Sequence, residues 1–179
     1  MHVAPAEIAI LNFYRASELH GGLILAQLVR RTRDPRLILD LTTHAAEEVM
    51  HARMWTQCII DVGGTPEPVR DTYQSRYAEF IGTPVTILEV LALTQVFERR
   101  VYRHFTEHLR RPGVHPVVAA TLERMLEEEK GHLSWVKGWL DGQESRRPGH
   151  VRRLIRDYTH ADAIVYDSLT RELGWRRAA

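Results

Sequence analysis

Two copies of one short pattern carry most of the chemistry open to this chain: Glu47-Glu48-Val49-Met50-His51 and Glu128-Glu129-Lys130-Gly131-His132. Each sets a glutamate and a histidine three positions apart in a helix-forming stretch. Each also follows a lone glutamate, Glu18 or Glu98, by 30 or 31 residues. Positions three apart share a helix face, so carboxylate and imidazole can grip one metal ion. Taken together, Glu18, Glu48, His51, Glu98, Glu129 and His132 supply four carboxylates and two imidazoles. That set suffices for two iron or manganese ions. Zinc would also bind such donors but supports no redox chemistry.

The segments that must position these residues are helical. Five long stretches repeat apolar residues at helical spacing, and no stretch alternates convincingly as a strand would. The first runs from about Ala6 to Thr32. Asp34-Pro35 reads as a cap followed by proline at the first helical position, opening a second helix that stops at Gly63-Gly64. A long connection, Thr65 to Thr83, contains one part, Arg70 to Phe80, able to form a short helix. Thr83-Pro84 reads as the next cap, with a third long helix to about Arg111. His115-Pro116 opens the fourth, which Gly142 is expected to close, and the fifth spans about His150 to Leu173. Short turns make the first two long helices an antiparallel pair, and likewise the third and fourth. The long connection between the pairs is able to climb a bundle, which gives the one-crossover four-helix topology. The expected organisation is a bundle over 1–142, with a linker and packing C-terminal helix over 143–179.

Depth and facing agree with this arrangement. Glu18 lies 16 residues before Asp34 and Glu48 lies 13 after Pro35, while Glu98 lies 14 after Pro84 and Glu129 lies 13 after Pro116. At about 1.5 Å per residue, all four reach one level near mid-bundle. Each also sits inside an apolar stripe: Leu11, Tyr14 and Leu25 around Glu18; Leu41, Trp55 and Ile59 around Glu48; Leu91 and Phe105 around Glu98; Leu122, Val136 and Leu140 around Glu129. A bare carboxylate in such a stripe costs several kcal/mol or is forced neutral, and metal cations remove that penalty. Glu18 to His51 and Glu98 to His132 repeat the same order with an offset of 80 to 81 residues, as a duplicated helical hairpin would.

Over residues 6 to 142 the chain resembles the ferritin-like superfamily, and within it the rubrerythrin-like di-iron carboxylate proteins. The resemblance implies an all-α ferritin-like four-helix bundle plus a C-terminal fifth helix. It further implies that Glu48 and Glu129 bridge two metals, with Glu18 and His51 completing one ion and Glu98 and His132 the other. Two irons are expected, with manganese or a mixed manganese–iron pair as variants. Related dimetal oxygenases place an acid before the bridging residue. By that likeness Glu47 would pair with His132 and Glu128 with His51, orienting each imidazole. The chain departs from full-length rubrerythrins in two respects. Thr94, Gln95, Val101 and Tyr102 occupy the turns beside Glu98, where those proteins carry a second acid. The single cysteine, Cys58, leaves no Cys-x-x-Cys iron domain and no internal disulfide.

Further core-facing residues invite roles. Tyr14 and Tyr102 flank Glu18 and Glu98 by four residues, where they can hydrogen-bond ligands, take part in radical or proton transfer, or fill space. His44, four before Glu48, is a proton donor, an extra ligand or a satisfied core histidine. Gly21-Gly22 opens a pocket or permits a close helix crossing. Asp162 falls in the apolar stripe of the fifth helix, where it forms a buried salt bridge to an arginine of the third or fourth long helix, or serves a lid.

The expected activity is an oxidoreductase that activates oxygen or peroxide with an external electron donor. Iron oxidation for handling or storage is the first alternative. An organic hydroxylase resembling demethoxyubiquinone hydroxylase is the second, and a structural metal protein without turnover the third. The chain has 179 residues, 44% hydrophobic and 26% charged, enough for one domain with a real core. Its net charge of +1 argues against nucleic acid or an anionic membrane as partner. With no signal-peptide pattern and no long apolar span, a cytoplasmic homodimer is expected.

Overall fold

The computed structural model describes residues 3–174; positions 1–2 and 175–179, which the expected domain ranges include, lie outside the described residues. Among the described residues every regular element is a helix: α1 Pro5–Val29, α2 Pro35–Asp61, α3 Tyr73–Ile81, α4 Ile87–Leu109, α5 Pro116–Arg146 and α6 His150–Glu172. No helix is long and apolar enough to cross a membrane. The chain divides into two compact units. One comprises residues up to Ser75 with Pro112–Glu123, the other Arg76–Arg111 with residues from Arg124 onward.

In the first unit α1 and α2 pack as an antiparallel hairpin. Asp34 caps α2 by accepting from the backbone N–H groups of Arg36 (2.9 Å) and Leu37 (3.4 Å), with Pro35 at the first helical position. Gly63, at φ 79°, ends the helix as the sequence leads one to expect, because the left-handed turn suits a residue without a Cβ. Tyr14 packs on Trp55, ring centroids 5.1 Å apart. Leu11, Leu41, Trp55 and Ile59 are fully buried, each worth roughly 1.5–3 kcal/mol of transfer energy or more. Gly22 marks a close approach of the two helices. A Cβ there would lie 3.1 Å from the Ala45 carbonyl oxygen, from Glu48 Cβ and from Val49 Cγ2.

The connection after α2 turns back along α1. Asn12 Nδ2 donates to the carbonyl of Thr65 (3.1 Å), and its Oδ1 accepts from Glu67 N–H (2.7 Å). Farther along, Gln74 Nε2 donates to the Ser17 carbonyl, and His20 and Thr72 share a hydrogen bond of 2.6 Å. The buried Asn12 thus satisfies loop backbone that would otherwise be stranded.

In the second unit α4 packs on α6. Contacts at a constant offset of 62 residues, Arg100 with Asp162 and His104 with Tyr166, make the two helices parallel. Here two expected boundaries move. The start of α4 is not set by Thr83-Pro84 but by a capping box: Thr86 Oγ1 accepts from Glu89 N–H while the Glu89 carboxylate accepts from Thr86 N–H. Two reciprocal bonds outweigh a proline's fixed φ. At the other end α5 runs past Gly142 to Arg146. This extension places Glu144 to accept from the N–H groups of Gly149, Val151 and Arg152, capping α6.

Candidate metal centre

Helices α1 and α2 bring three of the sequence-derived ligands together in the first unit. Glu18 is 4% exposed, Glu48 2% and His51 0%. His51 Nδ1 lies 3.9 Å from Glu18 Oε2. His44, also buried, donates from Nε2 to Glu48 Oε1 at 2.9 Å and so fixes the carboxylate from the preceding turn. A Cβ on Gly21 would stand 3.3 Å from Glu48 Oε2, so the glycine leaves that oxygen room. Gly22 thus admits the neighbouring helix, as the close-crossing reading expects, and Gly21 leaves the Glu48 carboxylate room.

In the second unit α4 and α5 carry the other three candidates. Glu98 is 3% exposed, Glu129 0% and His132 1%. His132 Nδ1 approaches Glu129 Oε2 at 3.4 Å, and Glu129 feels the negative charge of the Glu98 carboxylate. Burial, followed by the negative charge of Glu98, pushes the Glu129 carboxyl up to about 7. Two carboxyl groups this close in apolar surroundings cannot both ionise cheaply without a cation.

The buried His and Glu side chains that can hold a metal ion are His44, Glu48 and His51 in the first unit and Glu98, Glu129 and His132 in the second. The donor set fits a hard or borderline metal, since it offers carboxylate oxygen and imidazole nitrogen with no thiolate. Cys58 is buried, its thiol pushed up mainly by burial.

The remaining candidates fall in plainer settings. Tyr14 is buried against Trp55, and Tyr102 is half-buried. Glu47 is exposed, and Glu128 is half-buried with its carboxylate 2.9 Å from Arg124 Nε. Asp162, 1% exposed, forms the buried salt bridge that its position in the stripe implies. It accepts from Arg100 Nε at 2.8 Å and from the Tyr77 hydroxyl. No motif announces what surrounds this bridge. Arg100 lies over the Tyr166 ring, 4.2 Å from its centroid, and the Tyr166 hydroxyl shares a 2.9 Å hydrogen bond with His104 Nδ1. His104 and His108 stand one turn apart on α4, both buried. Burial holds His104 down to about 3 and His108 down to about 4, with neighbouring cations adding to the effect.

No family model matches the chain, and comparison with curated proteins and with solved structures found no similar protein.

Proposed function

We propose that this protein is a non-haem dimetal oxidoreductase, built on a ferritin-like bundle of the rubrerythrin-like kind, that activates oxygen or peroxide. Glu18, Glu48, His51, Glu98, Glu129 and His132 are its ligands. One observation carries the reading: two buried Glu-x-x-His pairs, each accompanied within its own unit by a buried mid-helix glutamate. A soluble helical fold has no use for four carboxylates at 4% exposure or less unless cations neutralise them.

A bound pair of iron or manganese ions supplies redox equivalents and Lewis acidity at this place. The chain's own residues do the rest. Glu48 and Glu129 would offer carboxylates to the ions, His44 holds the Glu48 carboxylate in orientation, and the surrounding apolar side chains exclude water. Glu47 and Glu128 are proposed to take the second N–H of the ligand histidines. The reducing equivalents are assigned to an external donor.

The test is anaerobic titration with Fe(II), followed by separate exposure to oxygen and to hydrogen peroxide with optical detection. Two equivalents per chain and an absorbance change with at least one oxidant are expected. Glu48→Ala and Glu129→Ala should each abolish stoichiometric loading. Binding of less than one equivalent, or no spectral response to either oxidant, would sink the proposal.

A further inference from the structure

Helix α5 carries one stripe from a candidate ligand to the surface. From His132, steps of three, four, four and three reach Trp135, Trp139, Gln143 and Arg146. These positions stay within about 80° of one another around the helix. His132 is 1% exposed, the two tryptophans and Gln143 are half-buried, and Arg146 is exposed. The stripe thus leaves the core gradually, and two of the three tryptophans among the described residues lie on it.

It ends in a basic turn. Over 145–156 the chain holds five arginines, Arg146, Arg147, Arg152, Arg153 and Arg156, and no acid. All five are exposed. Arg152 pairs with Glu144 (3.0 Å) and Arg156 with Asp157 (2.9 Å). Arg146, Arg147 and Arg153 have no carboxylate partner among the described residues. Gly149, at φ 84°, sets α6 directly after α5, and the Glu144 carboxylate fixes the turn through the N–H groups of Gly149 and Val151. Three guanidinium groups are thereby held out to solvent on a fixed support, each able to grip a carboxylate through two parallel N–H donors.

We infer that the α5–α6 turn docks an acidic one-electron carrier protein, and that Trp139 and Trp135 conduct its electron toward His132. This deepens the dimetal reading and rests on it, because that centre draws its electrons from outside. Charge complementarity selects the partner. An anionic membrane surface would also want apolar side chains to insert, but Val151 is buried and Leu154 and Ile155 are half-buried. Duplex nucleic acid asks for a strongly basic protein, and the net charge here is +1. The tryptophans explain how a carrier at this place reaches the site. His132 and Arg146 stand 14 residues apart, about 21 Å along the helix, and electron tunnelling falls off exponentially with distance. Trp139 stands midway and divides the gap into two of roughly 10 Å, with indole π orbitals as the bridge. In each event the carrier is oxidised by one electron and one metal ion is reduced by one. The indoles end unchanged, and no bond forms or breaks.

The experiment begins with the metal-free full chain, titrated calorimetrically with an acidic ferredoxin and with an acidic flavodoxin. At least one should bind at micromolar concentration, and its affinity should fall at least about tenfold between roughly 0.02 and 0.2 M salt. Arg146→Glu, Arg147→Glu and Arg153→Glu together should abolish binding while circular dichroism stays unchanged. Arg30→Glu with Arg33→Glu, in the first unit, should leave binding intact. In Fe(III)-loaded protein, stopped-flow spectra should show the reduced carrier oxidised at least about tenfold more slowly by Trp139→Leu than by wild type. Binding should be unaffected, and Trp139→Phe should fall between the two. The inference is overturned if neither carrier binds, or if binding is indifferent to salt or to the arginine reversal. It is overturned equally if phosphatidylserine vesicles or duplex DNA bind the turn more tightly than either carrier. An unchanged rate in Trp139→Leu and Trp139→Phe removes the tryptophan route. Absent carrier binding with normal Fe(II) loading sinks the docking surface alone, whereas failed loading sinks the metal centre whatever the carriers do.

Discussion

At the scale of single residues, the chain places charge in its interior in two ways with different energetics. The candidate ligand glutamates are buried beside histidines, and under the proposed function cations would compensate them. Asp162 is compensated within the chain by Arg100 and the Tyr77 hydroxyl. For a buried pair of this kind, removing one partner costs far more than removing both, because the survivor is left charged in a poor solvent. Asp162→Asn should therefore lower stability by about 3–5 kcal/mol in denaturant unfolding. The double variant Asp162→Leu with Arg100→Met should lie within about 1–2 kcal/mol of wild type. Additive losses in the two single variants and the double would show that the bridge is not an energetic unit. The ring contact between Arg100 and Tyr166 adds a reason for arginine here, since a lysine offers neither a planar fork for the carboxylate nor a flat face for the ring.

At the scale of elements, what the sequence made legible was whatever is decided within about one helical turn. Asp34-Pro35 and Gly63-Gly64 fix the ends of α2 through local backbone chemistry, and the stripes around Glu48 and Glu129 are buried where counting at helical period puts them. The burial of all six candidate residues follows from the same count. The errors have a common cause in competition between signals. Thr83-Pro84 and Thr86-x-x-Glu89 both announce a start for α4, and the reciprocal capping box prevails. Gly142 announces an end to α5, but Glu144 is needed on that helix to cap α6, a demand made by residues seven and eight positions farther on. Buried His104 and His108 carry no motif, so only packing reveals them. Gly22 was ambiguous in the sequence and is not in the structure. Gly22→Ala would gain about 1 kcal/mol of helix propensity. It would also press a methyl against the Ala45 carbonyl at 3.1 Å, where the backbone of a neighbouring helix cannot yield cheaply. The net expectation is a loss on the order of 1 kcal/mol, seen as a lower melting temperature. A higher one would mean that the crossing is looser than its geometry indicates.

At the scale of the whole molecule, buried titrating groups pull stability in opposite directions, and metal should change the balance. His104 and His108 are native in the neutral form, with folded values near 3 and 4 against 6.5 in the unfolded chain. Below pH 6.5 the unfolded chain binds protons that the folded one refuses, so stability present above that pH is lost as pH falls toward 4 and 3. Glu129 runs the other way. Its folded value near 7 exceeds the ordinary 4.5, so its contribution is complete below 4.5 and is lost as pH rises through 7. Between these limits the unfolded chain gains two protons at the histidines and the folded chain keeps one at Glu129. In metal-free protein the net difference of one proton makes stability rise by about 1.4 kcal/mol per pH unit from roughly pH 4.5 to 6.5. A cation at Glu129 displaces its proton, and the slope should then approach that of two protons or exceed it, because protonation of the ligands also weakens metal binding. Denaturant unfolding across this range, with and without saturating metal, measures both slopes. His104→Gln with His108→Gln should flatten or invert the metal-free slope. If the slopes with and without metal coincide, Glu129 is not held by the ion, and its elevated pKa belongs to a buried carboxyl pair that serves the fold alone.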